Sequence, residues 1–133
     1  MSEALTLQPG LVGEASVTVT DTMTAAALGS GNVDAFSTPA LIAQLEAAAI
    51  DALQGRLPEG QTSVGTMLNV RHLAATPVGM AVTARATLKE FDGRRLVFDV
   101  EAWDAVERIG EGTHERFIVT RARFEERVRN KKA

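Results

Sequence analysis

The chain has 133 residues, of which 45% are hydrophobic and 23% are charged, and this size and composition fit one globular domain over residues 1–133. Its apolar runs fall short of the roughly 18 residues of a membrane span, so we expect no membrane-spanning segment. The sequence contains no cysteine, which excludes disulfides, thiolate metal sites and a cysteine nucleophile.

Charge is distributed unevenly along the chain. Residues 1–55 contain six acidic residues and no Lys or Arg, whereas residues 56–133 carry all 14 basic residues together with 11 acidic ones. Secretory and transit peptides need positive charge near the N-terminus, so the sequence favours a cytoplasmic protein. With a net charge of −3 and few aromatic residues, we do not expect nucleic-acid binding.

The first part of the chain predicts a strand, a loop and one long helix. Residues 15–20 alternate in polarity and are rich in β-branched side chains, which is typical of a strand. Residues 21–35 lack a clear period and predict a loop with a short helical turn. Ser37 or Thr38 can cap a helix with a proline in its first turn, and this helix should end before Gly55.

The second part predicts four antiparallel strands and a short terminal helix. The Asp92-Gly93 pair is a strong signal for a two-residue hairpin turn. Residues 121–133 form a basic tail that should be a short helix. The strands are predicted at residues 62–73, 80–90, 94–104 and 107–120.

This order of elements indicates an α+β fold. Strands with one apolar face need an element laid across that face, and the only long helix is itself apolar nearly all round. The sequence therefore predicts the hotdog fold, a curled antiparallel sheet wrapped around one long central helix. Such a sheet leaves an edge that a second copy of the chain would cover.

Glu46 is unusual because it lies on the predicted helix among apolar neighbours. Burial of an isolated carboxylate is costly unless the carboxylate is hydrogen-bonded or neutral. Such an acid has either a structural role, satisfied by a neighbouring strand, or a functional one, and the pattern alone leaves both open.

His72 and the Ser37-Thr38 pair are the other candidates for chemistry. His72 ends a strand where a pocket mouth is expected, although a lone histidine is more often a packed or surface residue. The hydroxyl pair is explained by helix capping alone, but a helix N-terminus also favours a developing oxyanion. The other histidine, His114, lies 42 residues away inside the last strand, so a metal site is not expected.

Four blocks of the sequence are similar to one known family. The blocks are "FSTPALIAQLE", "TSVGTMLNVRHLAATPVGM", "DGRRLVFDVEAWD" and "IGEGTHERFIV". In order and spacing they resemble the fluoroacetyl-CoA thioesterase family of hotdog proteins over about residues 12–130. The loop before Phe36 lacks the aromatic-rich insertion associated with the fluoroacetate-specific enzyme, so the acyl group stays open.

The resemblance implies a set of site residues. The catalytic Thr, Glu and His of the family correspond to Thr38, Glu46 and His72. Glu46 would orient His72 or attack the thioester itself, and the sequence does not separate these roles. The predicted substrate-binding residues are Phe36, Gly65, whose missing side chain allows a close approach, and Arg116 in the G-T-H-E-R block.

The resemblance also implies an enzyme that hydrolyses acyl-CoA thioesters, with coenzyme A as part of the substrate and no separate cofactor. It implies a homodimer, with a tetramer as a further option. A non-catalytic protein that binds acyl-CoA or another small ligand is the alternative. A hotdog hydratase is not expected, because such an enzyme needs an Asp five residues before its His. The residues five positions before His72 and His114 are Met67 and Ile109.

Overall fold

The computed structural model describes residues 7–133, and the first six residues of the predicted single domain lie outside this description. A one-turn 3-10 helix, Asp21–Met23, precedes the first α-helix. The elements follow in the order β1 (Val12–Thr18), α1 (Ala25–Leu28), α2 (Thr38–Ala52), β2 (Gln61–His72), β3 (Ala81–Phe91), β4 (Arg95–Trp103), β5 (Arg108–Thr120) and α3 (Arg121–Arg129).

The five strands form one antiparallel sheet in the order β1-β3-β4-β5-β2, so β1 and β2 are its edges. The predicted alternation on β3 and β4 is confirmed, because one face of each strand is buried against α2. Asp92 closes the predicted hairpin by accepting from the backbone N–H groups of Arg94 and Arg95 at 3.1 and 2.8 Å. The side chains of the buried face are Val82, Ala84, Ala86, Leu88, Leu96, Phe98, Val100 and Ala102.

The first strand begins earlier than the sequence predicts, at Val12 instead of residue 15. The alternation of side chains does not predict this extension, because Gly13 has no side chain and interrupts the pattern. It lies against α2 so closely that a Cβ atom there would collide with the backbone of Ala48 and Ala52. The strand can therefore approach the helix only with glycine at this position.

The sheet curls around α2 but leaves one side of the helix open. Gly55, with φ +73°, ends the helical segment as predicted. On the uncovered side Ala43 is exposed and Ile50 is 47% exposed. No helix of the described part is long and apolar enough to cross a membrane. The side chains that α2 buries against the sheet are Leu41, Leu45, Ala48, Ala49 and Ala52.

Candidate active site

The N-terminus of α2 meets the end of β2 and joins two of the predicted residues. Ser37 is the N-cap, and its Oγ accepts from the backbone N–H of Ala40 at 3.2 Å. This cap leaves the hydroxyl of Thr38 free, and its Oγ1 lies 2.8 Å from Nδ1 of His72. The structure therefore divides the hydroxyl pair between two tasks, since Ser37 caps the helix and Thr38 contacts the histidine.

His72 is held with one ring nitrogen unengaged. Its Nε2 is buried and has no hydrogen-bond partner among the described residues. Burial lowers the pKa of His72, while a smaller effect of the Ala74 backbone raises it. The ring of buried Phe36 meets the imidazole edge-on with centroids 6.5 Å apart, so Phe36 packs against His72 and restricts its orientation. We refer to Thr38 and His72 as the hydroxyl–imidazole pair.

A cleft of about 420 Å³ opens beside this pair. Thr38 and His72 line one side, and the segment between α1 and α2 lines the other. Val33 in that segment is 60% exposed, and Leu73 across the cleft is half-exposed. Small and apolar side chains supply most of the remaining wall, namely Ala25, Gly31, Ala35, Ala74 and Ala75.

Glu46 lies two turns further along α2 and contacts a different set of residues. Its Oε2 accepts from Nη1 of Arg116 at 3.3 Å, and its side chain is 34% exposed. The carboxylate also lies directly over Gly65 of β2, where a Cβ atom would collide with Oε2. Gly65 is opposite Arg116 in the β2–β5 register, which explains why the three groups converge.

Arg116 is buried, and every part of its guanidinium group has a partner. Its Nε donates to Oγ of Ser63 at 2.8 Å, and its Nη2 donates to the Ser63 carbonyl at 3.1 Å. Nη1 is shared between Glu46 and Nε2 of His114, which is 3.1 Å away. Burial lowers the pKa of Arg116, whereas the neighbouring carboxylate raises it. A guanidinium stays protonated in proteins, so it holds a fixed positive charge beside Glu46.

The contacts of His114 define its tautomer. Its Nδ1 lies 2.9 Å from the carbonyl oxygen of Met67, which can only accept, so Nδ1 carries the proton. Nε2 is then an acceptor for Arg116. Burial lowers the pKa of His114, and the charge of Arg116 lowers it further, so the neutral ring is favoured. The ring also stacks on Phe98, with centroids 6.3 Å apart.

We call Glu46, Gly65, Arg116, His114 and Ser63 the carboxylate cluster. Sequence reasoning found Glu46, Gly65 and Arg116 but missed His114 and Ser63 as members. A signal for His114 was available in the sequence, because it is two residues from Arg116 and so faces the same side of β5. Arg116 was predicted to bind substrate, and among the described residues its guanidinium contacts Ser63, Glu46 and His114.

The two groups are separate within one protomer. Thr38 and Glu46 are eight residues apart, which corresponds to about 12 Å along a helix. The described contacts join Thr38 to His72 and Glu46 to Arg116, but none joins Glu46 to His72. The predicted three-residue site is therefore divided between the two positions on α2.

Comparison with known proteins identifies the family of this chain. A family model described as fluoroacetyl-CoA-specific thioesterase matches residues 19–122, most of the chain. The chain belongs to this thioesterase family. The resemblance inferred from the four sequence blocks is thereby confirmed.

Characterised relatives of this thioesterase family extend the match. The fluoroacetyl-CoA thioesterase of Streptantibioticus cattleyicolor is 41% identical over 98 residues, which are 74% of this chain and 70% of that protein. A crystal structure of a fluoroacetyl-CoA thioesterase superposes with a TM-score of 0.90 at 33% identity, covering 96% of this chain and 99% of the other. Another structure of that enzyme is a threonine-to-serine mutant in complex with acetyl-CoA.

A Thermus thermophilus protein described as a thioesterase superfamily member also superposes, with a TM-score of 0.86 and 28% identity over 94% of this chain and 93% of its own. These likenesses confirm the predicted hotdog fold.

Proposed function

We propose that this chain hydrolyses acyl-CoA thioesters. The observation that carries the proposal is the carboxylate cluster, in which a carboxylate is held by a buried arginine against the bare backbone of Gly65. An anion fixed in this way can act on an electrophilic carbonyl that approaches along the open side of the glycine. Membership in a thioesterase family supports a thioester as that electrophile.

Glu46 begins the reaction in this proposal. Arg116 binds Oε2 and leaves Oε1 without a partner among the described contacts. The free oxygen either attacks the thioester carbonyl, which gives a transient anhydride, or removes a proton from an attacking water. Hydrolysis in water labelled with oxygen-18 tests the anhydride route, since water that opens an anhydride at the Glu46 carbonyl leaves label in Glu46, whereas water activated by Glu46 as a base places label only in the acid product.

In this proposal the hydroxyl–imidazole pair transfers the protons of the reaction. The lowered pKa of His72 keeps its ring neutral near pH 7, and its buried Nε2 has no hydrogen-bond partner among the described residues. Thr38 holds Nδ1 at 2.8 Å and thereby fixes the ring orientation. In either route neutral His72 takes up the proton that the hydrolytic water releases, directly or by way of Glu46, and then passes it to the departing thiolate of coenzyme A, so the ring ends the cycle neutral.

We further propose that two copies of the chain form a homodimer through β2. This strand is a long edge of the sheet, and unpaired backbone groups on an edge favour pairing with a second strand. The open side of α2, with half-exposed Ile50, lies next to this edge and would be covered by the second copy of the chain. The molecular mass of the protein in solution distinguishes this dimer from the tetramer that is the further option.

The strand register supports a composite site in this dimer. Inner-face residues of β2 include Leu68 and Val70, which are opposite His114 and Gly112 on β5. A twofold axis near Asn69 would pair Leu68 with Val70 of the partner subunit and keep both on the inner face. It would also set His72 of the partner subunit beside the bulge that follows Gly65. The carboxylate cluster of one protomer would then complete the hydroxyl–imidazole pair of the other.

The acyl group is not assigned. The cleft beside Thr38 and His72 has space for a short acyl chain, and its wall in the segment before Phe36 consists of small and aliphatic residues. Because acyl-CoA thioesters are made inside cells, we propose a cytoplasmic location.

The test of this function is a thiol-release screen of the purified protein against acyl-CoAs that differ in chain length and polarity. We expect release of coenzyme A from at least one class of acyl-CoA at a rate far above spontaneous hydrolysis. Thioesters that are bound yet stay intact through hours of incubation would instead identify a non-catalytic ligand-binding protein.

The composite site is tested by mixing two inactive variants, Glu46→Gln and His72→Gln. In a heterodimer of these variants, a composite arrangement leaves one site with both wild-type residues. We expect activity to return on subunit exchange, toward a quarter of the wild-type value in a statistical mixture. Two inactive variants that stay inactive after exchange, confirmed by mass spectrometry of the heterodimer, would place the whole site within one protomer.

A further inference from the structure

A second groove, of about 360 Å³, lies between α3 and the β3–β4 hairpin. Three arginines from two different elements reach it. Arg94 comes from the hairpin, and Arg123 and Arg127 lie one turn apart on α3, so both point to the same side of the helix. The other lining residues contain no acid and are Gln61, Gly93, Ile118, Val119, Thr120 and Phe124.

These arginines differ from most of the other arginines on the sheet. Arg85, Arg95 and Arg108 each pair with a glutamate at 2.8 to 3.2 Å. Among the described residues, none of the three groove arginines forms such a pair. Three uncompensated guanidinium groups in one concave surface attract anions, and guanidinium groups match phosphate geometry especially well.

The groove also has an apolar wall. Phe124 is the only residue of α3 that is not fully exposed, and Ile118 is buried beside it. An occupant that carries both phosphates and a flat ring suits a surface that combines arginines with an aromatic side chain. Inorganic anions would use the arginines alone and leave this wall uncovered.

The groove is linked to the carboxylate cluster through neighbouring residues of β2 and β5. Ile118 lines the groove and is opposite Ser63, whose hydroxyl accepts from Arg116. Gln61, at the groove, is four residues from Gly65, about 13 Å along a strand. An extended pantetheine arm can cover such a distance between a thioester at Gly65 and a nucleotide at the groove.

We propose that this groove binds the phosphates and adenine of coenzyme A. The proposal depends on the proposed hydrolysis of acyl-CoA and identifies the part of the protein that recognises the nucleotide. It assigns Arg94, Arg123 and Arg127 to substrate binding and leaves the bond-breaking chemistry at the carboxylate cluster.

The experiment compares two substrates with the same acyl group, an acyl-CoA that the enzyme turns over and the matching acyl-pantetheine, which lacks the nucleotide. For Arg123→Glu/Arg127→Glu we expect the ratio of kcat/KM for the CoA thioester to that for the pantetheine thioester to fall at least about tenfold. The ratio cancels any general damage to folding or catalysis. For the wild type it should also fall as ionic strength rises, because exposed charges are screened.

The matched control is Arg56→Glu/Lys89→Glu, which makes the same change in net charge away from the groove, and its ratio should equal that of the wild type. The proposal would be overturned if the kcat/KM ratio of Arg123→Glu/Arg127→Glu equalled that of the wild type, or if the control ratio fell equally. Neither result would contradict the proposed hydrolysis of acyl-CoA. A wild-type protein that hydrolyses neither thioester would instead refute the proposed function.

Discussion

Two positions on α2 hold groups of opposite character. At the N-terminal end, the hydroxyl–imidazole pair depends on one 2.8 Å hydrogen bond and leaves Nε2 of His72 without a partner. In the middle of the helix, Glu46 is bound by Arg116, which is in turn bound by His114 and Ser63. In the proposed mechanism the first group transfers protons, whereas the second holds a charge in place.

This difference shows how one helix can serve both tasks. A group that moves protons needs a free nitrogen and a pKa near the working pH, and a single partner is enough to orient it. An attacking carboxylate needs a fixed position, and buried partners with all of their hydrogen bonds made provide it. Removing one member should therefore have different consequences at these two positions.

The largest effect is expected at Glu46. Glu46→Gln keeps the size of the side chain and an oxygen for Arg116 but removes the anionic oxygen, so kcat should fall by about 10³-fold or more. This fall in kcat is measured by steady-state release of thiol from the acyl-CoA that the wild type hydrolyses fastest. Glu59→Gln, which removes an exposed carboxylate from a loop, should retain wild-type kcat, and a Glu46→Gln enzyme as active as this control would show that the carboxylate is not catalytic.

A smaller but still large effect is expected at Gly65. In Gly65→Ala the new Cβ would collide with Oε2 of Glu46 and lie 3.3 Å from Nη1 of Arg116 and from Cε1 of His114. The carboxylate must therefore move, and a displacement of about 1 Å costs about 10²-fold in kcat. A crystal structure of the variant would show whether Glu46 has shifted. Wild-type kcat in Gly65→Ala would contradict the close approach.

His114 supports a finer test, because two amides each replace one of its nitrogens. His114→Gln places an oxygen near the position of Nε2 and can still accept from Arg116. His114→Asn places its nitrogen near Nδ1 and can still donate to Met67 but offers Arg116 nothing. We expect kcat in His114→Asn to be about tenfold lower than in His114→Gln.

The comparison between these two variants separates positioning from packing. Both lose the stack on Phe98 and should lose similar stability in urea unfolding. Equal kcat values in the two variants would mean that His114 only fills space and does not orient Arg116.

The sequence predicts the fold better than it predicts which residues of the candidate site meet. Period-two patterning on β3 and β4 identifies the buried face, since each strand has one face against α2. The sequence places Thr38 at a helix start and His72 at a strand end, and the fold brings the two side chains together. His114 and Ser63 escape detection as members of the site, because the register of β2 on β5, which the sequence does not reveal, decides that they meet Arg116 and Glu46. The predicted homodimer stays a prediction, because a partner surface has no local sequence signal.

The smallest effect concerns pH and distinguishes the two histidines. Burial lowers the pKa of both rings, so each stays neutral below the ordinary histidine value of about 6.5. If neutral His72 is the active form, kcat/KM is lost only as the pH falls through that lowered pKa, and at pH 6.5 the enzyme should keep at least about half of its plateau value. The acidic limb should persist in His114→Gln, which lacks the other ring, and should disappear from the residual activity of His72→Gln. A limb that disappears in His114→Gln would instead assign the titration to the carboxylate cluster and reverse the division of tasks along α2.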